Sequence, residues 1–173
     1  IAAFYIGLMP LTLLEILLIS ASAGLVSGIA INTGHELGHK KTKIERSLAK
    51  IVLSIPAYGH FTIEHNRGHH SNVSTPEDAA SAKMGENIYE FALREMPESF
   101  KNAISIEKKR LHRLGKSFWC FDNELMQSFS LTLIFQVGLI ISFGFVMVPF
   151  LLIHNLFAWW QLTSANYIEH YGL

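Results

Sequence analysis

Between Leu125 and Ile168 lie 44 consecutive residues without an aspartate, glutamate, lysine or arginine. As one helix at 1.5 Å per residue that run would measure about 66 Å, roughly twice a hydrocarbon core of about 30 Å. It is therefore expected to cross a membrane twice, as a hairpin turning near Ser142 to Gly144, and a hairpin returns its end to the side on which it began. Leu11 to Ile31 adds one further crossing of 21 residues. Half the chain is hydrophobic and only 16% is charged, low for a protein that meets water on all sides. An all-α, polytopic membrane helical bundle follows.

The rest of the chain fits around those crossings. Residues before Pro10 read as the end of an earlier helix, since proline interrupts a helix and suits a helix start. After the first crossing come Lys40, Lys41, Lys43, Arg46 and Lys50 against Glu45 alone, an excess that assigns this side to the cytoplasm. Leu48 to Ala57 is short, carries Lys50 and ends near Pro56, so it reads as a re-entrant or buried segment. Residues 71–124 hold 17 of the 28 charged residues and read as cytoplasmic, with a helix from Pro97 to Leu114 that has Pro97 at its first position and Gly115 beyond its end. Trp159, Trp160 and Tyr167 lie near the exit of the returning helix, as an interfacial belt or as core. The chain starts at Ile1 inside an apolar run and stops at Leu173, and residues 1–173 read as a single internal fragment of a larger membrane domain.

Two function classes drop out early. One cysteine, Cys120, cannot build a disulfide framework or a cysteine metal site and reads as a packing residue. Fourteen basic and fourteen acidic residues give no net field to attract nucleic acid.

Histidine remains as the metal ligand. Of nine histidines, six fall in groups that the topology delivers to one face: His35 with His39, then His65, His69 and His70, then His170. His35 and His39 are four apart, so on a helix both rings lie on one side and can clasp one ion; His65 and His69 repeat the spacing. His70 points about 100° from His69 and would serve a second ion. A glutamate adjoins a histidine in each group (Glu36, Glu64, Glu169), placed to accept the second ring N–H or to ligate directly. A solvated membrane interface would also collect such residues, but three groups on one side favour a site, because ionisable residues at membrane depth are costly and usually functional. His60, His112 and His154 stand alone and read as a loop or core residue, a solvated residue and an interhelical hydrogen-bonding residue.

His35-Glu36-Leu37-Gly38-His39 is also the H-E-x-x-H pattern of zinc metalloproteases, in which the glutamate is the general base. A zinc protease requires one further ligand, not four more histidines. A bis-histidine haem anchor and an acyl-lipid desaturase or hydroxylase are further alternatives.

The segments Asn32 to Lys40 and Glu64 to His70 resemble the histidine boxes of the membrane-bound alkane 1-monooxygenases, within the histidine-box di-iron membrane oxygenases. Ser74-Thr75-Pro76-Glu77-Asp78-Ala79 and Asn166 to Leu173 are similar to other signatures of that family. The resemblance implies a bundle with two non-haem irons at the cytoplasmic face of the inner membrane. These would hydroxylate the terminal methyl of n-alkanes to 1-alkanols, with O2 as co-substrate and electrons from rubredoxin and its reductase. It places His35, His39, His65, His69, His70 and His170 at ligand positions, and implies a later histidine box beyond Leu173, without which this fragment is not expected to turn over. The exposed basic stretch Lys108, Lys109, Arg110, Arg113 and Lys116 is a docking candidate for an acidic rubredoxin, or a solvated or lipid-facing charge run. Gly24 and Gly28, one turn apart, either let a neighbouring helix approach or leave room for an alkane.

Overall fold

The computed structural model describes residues 1–172, which fold into helices joined by short loops. A first short helix, α1 (Ala2–Leu8), precedes Pro10 as expected. The next, α2 (Leu13–Gly38), starts at a capping box. The Thr12 side chain accepts the Glu15 N–H, and the Glu15 carboxylate accepts the Thr12 N–H at 2.8 Å. It runs unbroken through the first histidine pair. The other long apolar helix, α7 (Glu124–Phe143), begins at Asn123, whose side chain accepts the Met126 N–H. Both α2 and α7 are long and apolar enough to cross a membrane. Gly144, at φ 79°, makes the turn, a left-handed conformation that side chains disfavour. The returning helix α8 (Met147–Glu169) then packs along α2.

The α2–α8 contact depends on small residues. A Cβ on Gly24 would lie 2.5 Å from the His154 carbonyl oxygen, and one on Gly28 would lie 2.8 Å from Gln161 Cβ. Backbone meets backbone there, so these glycines serve packing and leave no room for a ligand. A polar cross-link reinforces it: His154 Nε2 is 2.8 Å from Ser27 Oγ, while Nδ1 is 3.0 Å from Asn155 Oδ1.

Two sequence expectations change here. The segment Leu48 to Ala57, read as re-entrant or buried, is for the most part the second half of an amphipathic helix, α3 (Lys43–Ser54), that starts at the Thr42 cap and buries only one face, pressing Ala49 and Leu53 into the bundle. Its last carbonyl, on Ser54, accepts from Thr132 Oγ1 of α7 at 3.0 Å. The long helix α6 (Ile88–Arg113) begins nine residues before the expected start of Pro97 to Leu114, because an Asn87–Glu90 capping box nucleates it first. Pro97 is thus tolerated in the interior: the carbonyl it leaves without a helical donor belongs to Leu93, which is 80% exposed and can turn to solvent. The returning-helix aromatics are packing groups. Trp159 Nε1 donates to the Pro56 carbonyl at 2.6 Å, Trp160 stacks on Tyr89, and the Tyr167 hydroxyl donates to the Glu86 carbonyl at 2.7 Å.

Between α3 and α6 the chain makes one turn of α-helix, α4 (Phe61–Glu64), continues as a π-helical turn (His65–His69), and closes with α5 (His70–Asn72). The loop that follows is tied down at both ends. The Arg94 guanidinium donates to the carbonyls of Ala79 and Ser81 and to Glu86, and residues at the end of α8 bridge to Ala82.

Candidate metal centre

Four imidazoles converge where the end of α2 meets the π-helical turn. One nitrogen from each of His35, His39, His65 and His70 lies within 4.8 Å of every other. The helical spacing of four brings His35 and His39 together as expected, with Nε2 atoms 2.6 Å apart. Two aromatic nitrogens at that distance must share a proton or a cation.

The second box departs from the spacing argument. His65 pairs with His70, Nε2 to Nε2 at 3.1 Å, and not with His69. The π-helical turn is the cause: the His70 N–H reaches the His65 carbonyl five residues back, so side chains five apart share a face. His70, expected to serve a second ion, therefore joins the first group. His69 stacks under His65 instead, with ring centroids 5.2 Å apart and planes at 23°, and faces His170 at 4.7 Å. His69 and His170 thus form a second pair flanking the first four.

Contacts between residues distant in sequence fasten this arrangement. Asn66 Nδ2 donates to the Gly38 carbonyl at 3.3 Å, fastening the π-helical turn to the last turn of α2. Arg67 bridges Glu107 on α6 and Glu124 at the start of α7, at 3.5 and 2.9 Å. Gly68 sits where a Cβ would be 3.0 Å from both Glu64 Oε1 and Ile106 Cδ1, so α6 backs the turn closely. His170 is held by its own backbone: its carbonyl accepts the Ala82 N–H at 2.9 Å, and the neighbouring Tyr171 hydroxyl accepts from Gly85 at 3.0 Å.

Among the described residues none of the glutamates beside the histidines bonds an imidazole. Glu36 is exposed, and the Glu169 carboxylate stands 4.0 Å from His170 Nε2. Glu64 is buried, and desolvation, with Asp78 adding to it, pushes its carboxyl up to about 7. The carboxylate that does hold a ring is Asp78, 3.0 Å from His69 Nδ1, itself anchored by the Ser81 hydroxyl at 2.6 Å and the Ala80 N–H at 3.2 Å. Sequence reading quoted Asp78 within a signature without giving it a role; its signal was an acidic residue in a Thr-Pro-Glu-Asp turn soon after the box. Also missed was Glu95, fully buried and hydrogen-bonded by Ser99, Thr163 and Asn166.

Burial keeps the rings of the cluster from protonating. Burial, and then the neighbouring histidines, depress His65 to about 2, and burial also lowers His70 and His170. Neutral imidazoles carry the lone pairs that a metal requires. For His69 desolvation works downward, but the Asp78 carboxylate outweighs it and raises the ring. With Asp78 accepting from Nδ1–H, the His69 lone pair is on Nε2. The donor set is all imidazole, which suits iron, copper, nickel or zinc and not magnesium or calcium. His39 and His70 remain exposed, so the cluster opens to one face.

The three solitary histidines lie elsewhere. His154 bonds Ser27, His112 is exposed near the end of α6, and His60 is buried against Tyr58 and Phe100 with Nε2 unpaired. Burial depresses His60 to about 4, so it is neutral.

Residues 12–173 match the family model described as fatty acid desaturase. Over all 173 residues the chain is 53% identical to alkane 1-monooxygenase 1 of Alcanivorax borkumensis and 53% identical to alkane 1-monooxygenase of Ectopseudomonas oleovorans, covering 43% of each. It is 30% identical over 150 residues to the xylene/toluene monooxygenase hydroxylase component of Pseudomonas putida, 86% of this chain and 40% of that one. The chain thus spans about two-fifths of the length of the relatives it matches. With its histidine cluster at the end of an apolar helix bundle and a family match that runs from the cap of α2 to the last residue, the chain belongs to the fatty acid desaturase family.

Proposed function

We infer that this chain carries most of the metal site of an alkane 1-monooxygenase, which converts the terminal methyl of an n-alkane to a primary alcohol. The observation that carries the reading is the meeting of the His35, His39, His65 and His70 nitrogens, with His69 and His170 beside them. Six imidazoles, one of them backed by a carboxylate, exceed what one zinc takes up in a protease and fit two irons. The similarity to alkane 1-monooxygenases across the whole chain supports the substrate class.

A pair of iron ions, when bound, supplies the reduction of O2: alkane, O2, two electrons and two protons become alkanol and water. The protein holds and shields that chemistry. His35, His39, His65 and His70 present lone pairs to one locus, while Asp78 fixes the His69 tautomer. Phe61, stacked 4.8 Å from His65, covers the bundle side of the cluster and keeps water from it. An alkane has no polar handle, so burial alone recruits it. A cavity of about 610 Å³ between α1, α2, α7 and α8, lined by residues such as Leu18, Val26, Leu139 and Phe150, is an apolar compartment of that kind. Each methylene buried there contributes about 0.8 kcal/mol.

In this reading residues 11–31 and the hairpin 125–168 span the inner membrane, residues 71–124 are cytoplasmic, and the cluster opens to the cytoplasm, where rubredoxin delivers electrons. Of the basic stretch at the end of α6 and just beyond it, Arg110 is paired with Glu107 and Lys116 with Asp122, which leaves Lys108, Lys109 and Arg113 as the docking cations. The test is expression of the full-length protein with rubredoxin and its reductase, supplied with alkanes of graded length. Primary alcohols and two irons per chain are expected. Unsaturated acyl lipids in their place would move the assignment to a desaturase, and one zinc with peptide cleavage would overturn it.

A further inference from the structure

On the open face of the histidine cluster, with His39 and His70 in its wall, lies a cavity of about 880 Å³ bounded by the end of α2, α3, the π-helical turn and the start of α7. Lys40, Lys41, Lys43 and Arg46 line it, and among the described residues none of them meets a carboxylate. Its one lining carboxylate, Glu124, is already held by Arg67 at 2.9 Å, and Glu45 on the same helix is bonded by the Thr42 hydroxyl at 2.5 Å. Like charges that crowd one cavity without counterions call for an anionic occupant.

The other side of α3 is apolar and uncovered. Ile44, Leu48 and Ile51, spaced four and three residues apart, are 74%, 45% and 51% exposed on one face of the helix. A second cavity, of about 690 Å³, continues from that face and is lined by Ile51, Trp119, Phe121 and Leu131. The two cavities share Ser47 and Lys50 as their common wall. Their pairing fits a molecule with an anionic head and a hydrocarbon tail.

Depth in the membrane selects among such molecules. Gly38 ends one spanning helix and Glu124 begins the other, and both belong to the region of the cationic cavity, so it sits at the level where hydrocarbon gives way to headgroups. A short helix with a basic side and an apolar side at that level lies in the interface plane. A water-soluble acidic protein would satisfy the lysines but leave Ile44, Leu48, Trp119 and Phe121 bare. We propose that this site binds an anionic phospholipid, its phosphate among Lys41, Lys43 and Arg46 and its acyl chains along Ile44, Leu48 and Ile51. The proposal rests on the membrane-spanning reading of α2 and α7 and is independent of the reaction.

The full-length protein, reconstituted in nanodiscs of phosphatidylcholine containing a fifth phosphatidylglycerol, tests it by native mass spectrometry of retained lipid. Phosphatidylglycerol is expected to be enriched at least fivefold over its share, and Lys41→Gln with Lys43→Gln and Arg46→Gln to abolish the enrichment. Lys108→Gln with Lys109→Gln on α6 should leave it intact. Because the triple variant can fail through misfolding, the unaltered protein is also labelled with a phosphatidylglycerol bearing a photoreactive acyl chain, which should mark residues 43–54. No preference over phosphatidylcholine, or labelling spread evenly over the other helices, overturns the proposal. So does weaker rubredoxin binding by the triple variant with phosphatidylglycerol retention unchanged, which gives the cavity to the protein partner. Failure of the protein to incorporate into nanodiscs would instead overturn the membrane reading.

Discussion

Asp78→Asn separates a ring-orienting carboxylate from a merely buried one. Asp78 receives three donors: His69 Nδ1 at 3.0 Å, the Ser81 hydroxyl at 2.6 Å and the Ala80 N–H at 3.2 Å. An asparagine keeps one acceptor oxygen and gains a donor. If that oxygen stays on Ala80, 3.1 Å from His69 Nδ1, it remains only a weaker, neutral acceptor for the ring, while the new N–H₂ at 3.0 Å competes for Nδ1 and favours the tautomer protonated at Nε2. Nε2 then has no lone pair for a metal. If the amide flips, its N–H₂ meets the Ala80 N–H instead. A hydrogen bond to a charged group contributes about 1.5–3 kcal/mol, and loss of a carboxylate behind a ligating histidine lowers metal affinity about 10–100-fold. The volume is unchanged, so the bundle should remain folded. Iron(II) titration of the metal-free, full-length protein against a chromophoric chelator, with helicity followed by circular dichroism, reads both quantities. About 10–100-fold weaker binding at one of the two ions, with helicity kept, is expected. Unaltered iron affinity in the folded variant would refute the tautomer argument and leave Asp78 as a loop anchor only.

Gly24→Leu should lower the melting temperature through overpacking that costs about 1–3 kcal/mol or more, since its Cβ alone would approach the His154 carbonyl oxygen to 2.5 Å; a melting curve matching the parent would show that α2 and α8 are not apposed there. Glu107, fully buried, is held below its ordinary value of 4.5: burial acts upward, but Arg110, the Glu124 N–H and Arg67 outweigh it. Its stabilising effect is therefore present above pH 4.5 and lost as pH falls through the lower folded value, so thermal melts between pH 6 and pH 3 should decline in the parent and stay flatter in Glu107→Gln. That variant should also start about 1.5–3 kcal/mol less stable at neutral pH, because it loses charge-assisted hydrogen bonds to the partly exposed Arg110; an equal acid slope in both proteins would remove Glu107 from the acid transition. Gly68→Val forces a branched side chain against Glu64 and Ile106, where even a Cβ stands at 3.0 Å. It should weaken iron binding measured by the same chelator titration, and a folded variant that binds iron normally would mean that α6 does not set the turn.

Legibility in the sequence follows the range of the interaction that decides each feature. The two helices of the charge-free run were readable because 44 residues are too many for one helix of ordinary length, and Gly144 turns the chain within the expected stretch. The first histidine pair was readable because α2 is regular to its end. Pro97 misled because a proline is a local signal, whereas the Asn87–Glu90 capping box and a solvent-facing Leu93 let the helix absorb it. Asp78 could not be assigned from spacing, since its contact with His69 closes across a loop whose path is set by Arg94 and by the end of α8.

The π-helical turn is the clearest case of tertiary structure overriding period. A regular α-helix through His65–His70 would put His65 and His69 on one side, and His70 about 100° around. One widened turn reverses the assignment, and the intervening residues explain why it persists: Asn66 bonds the end of α2, Arg67 reaches α6 and α7, and Gly68 lets α6 come close. Together these contacts hold the widened turn against α2, α6 and α7. The second box is therefore shaped by the whole bundle, while the first is shaped by one helix. The four-nitrogen cluster exists because the bundle brings an irregular element, whose register is set from outside, against a regular one whose register is intrinsic.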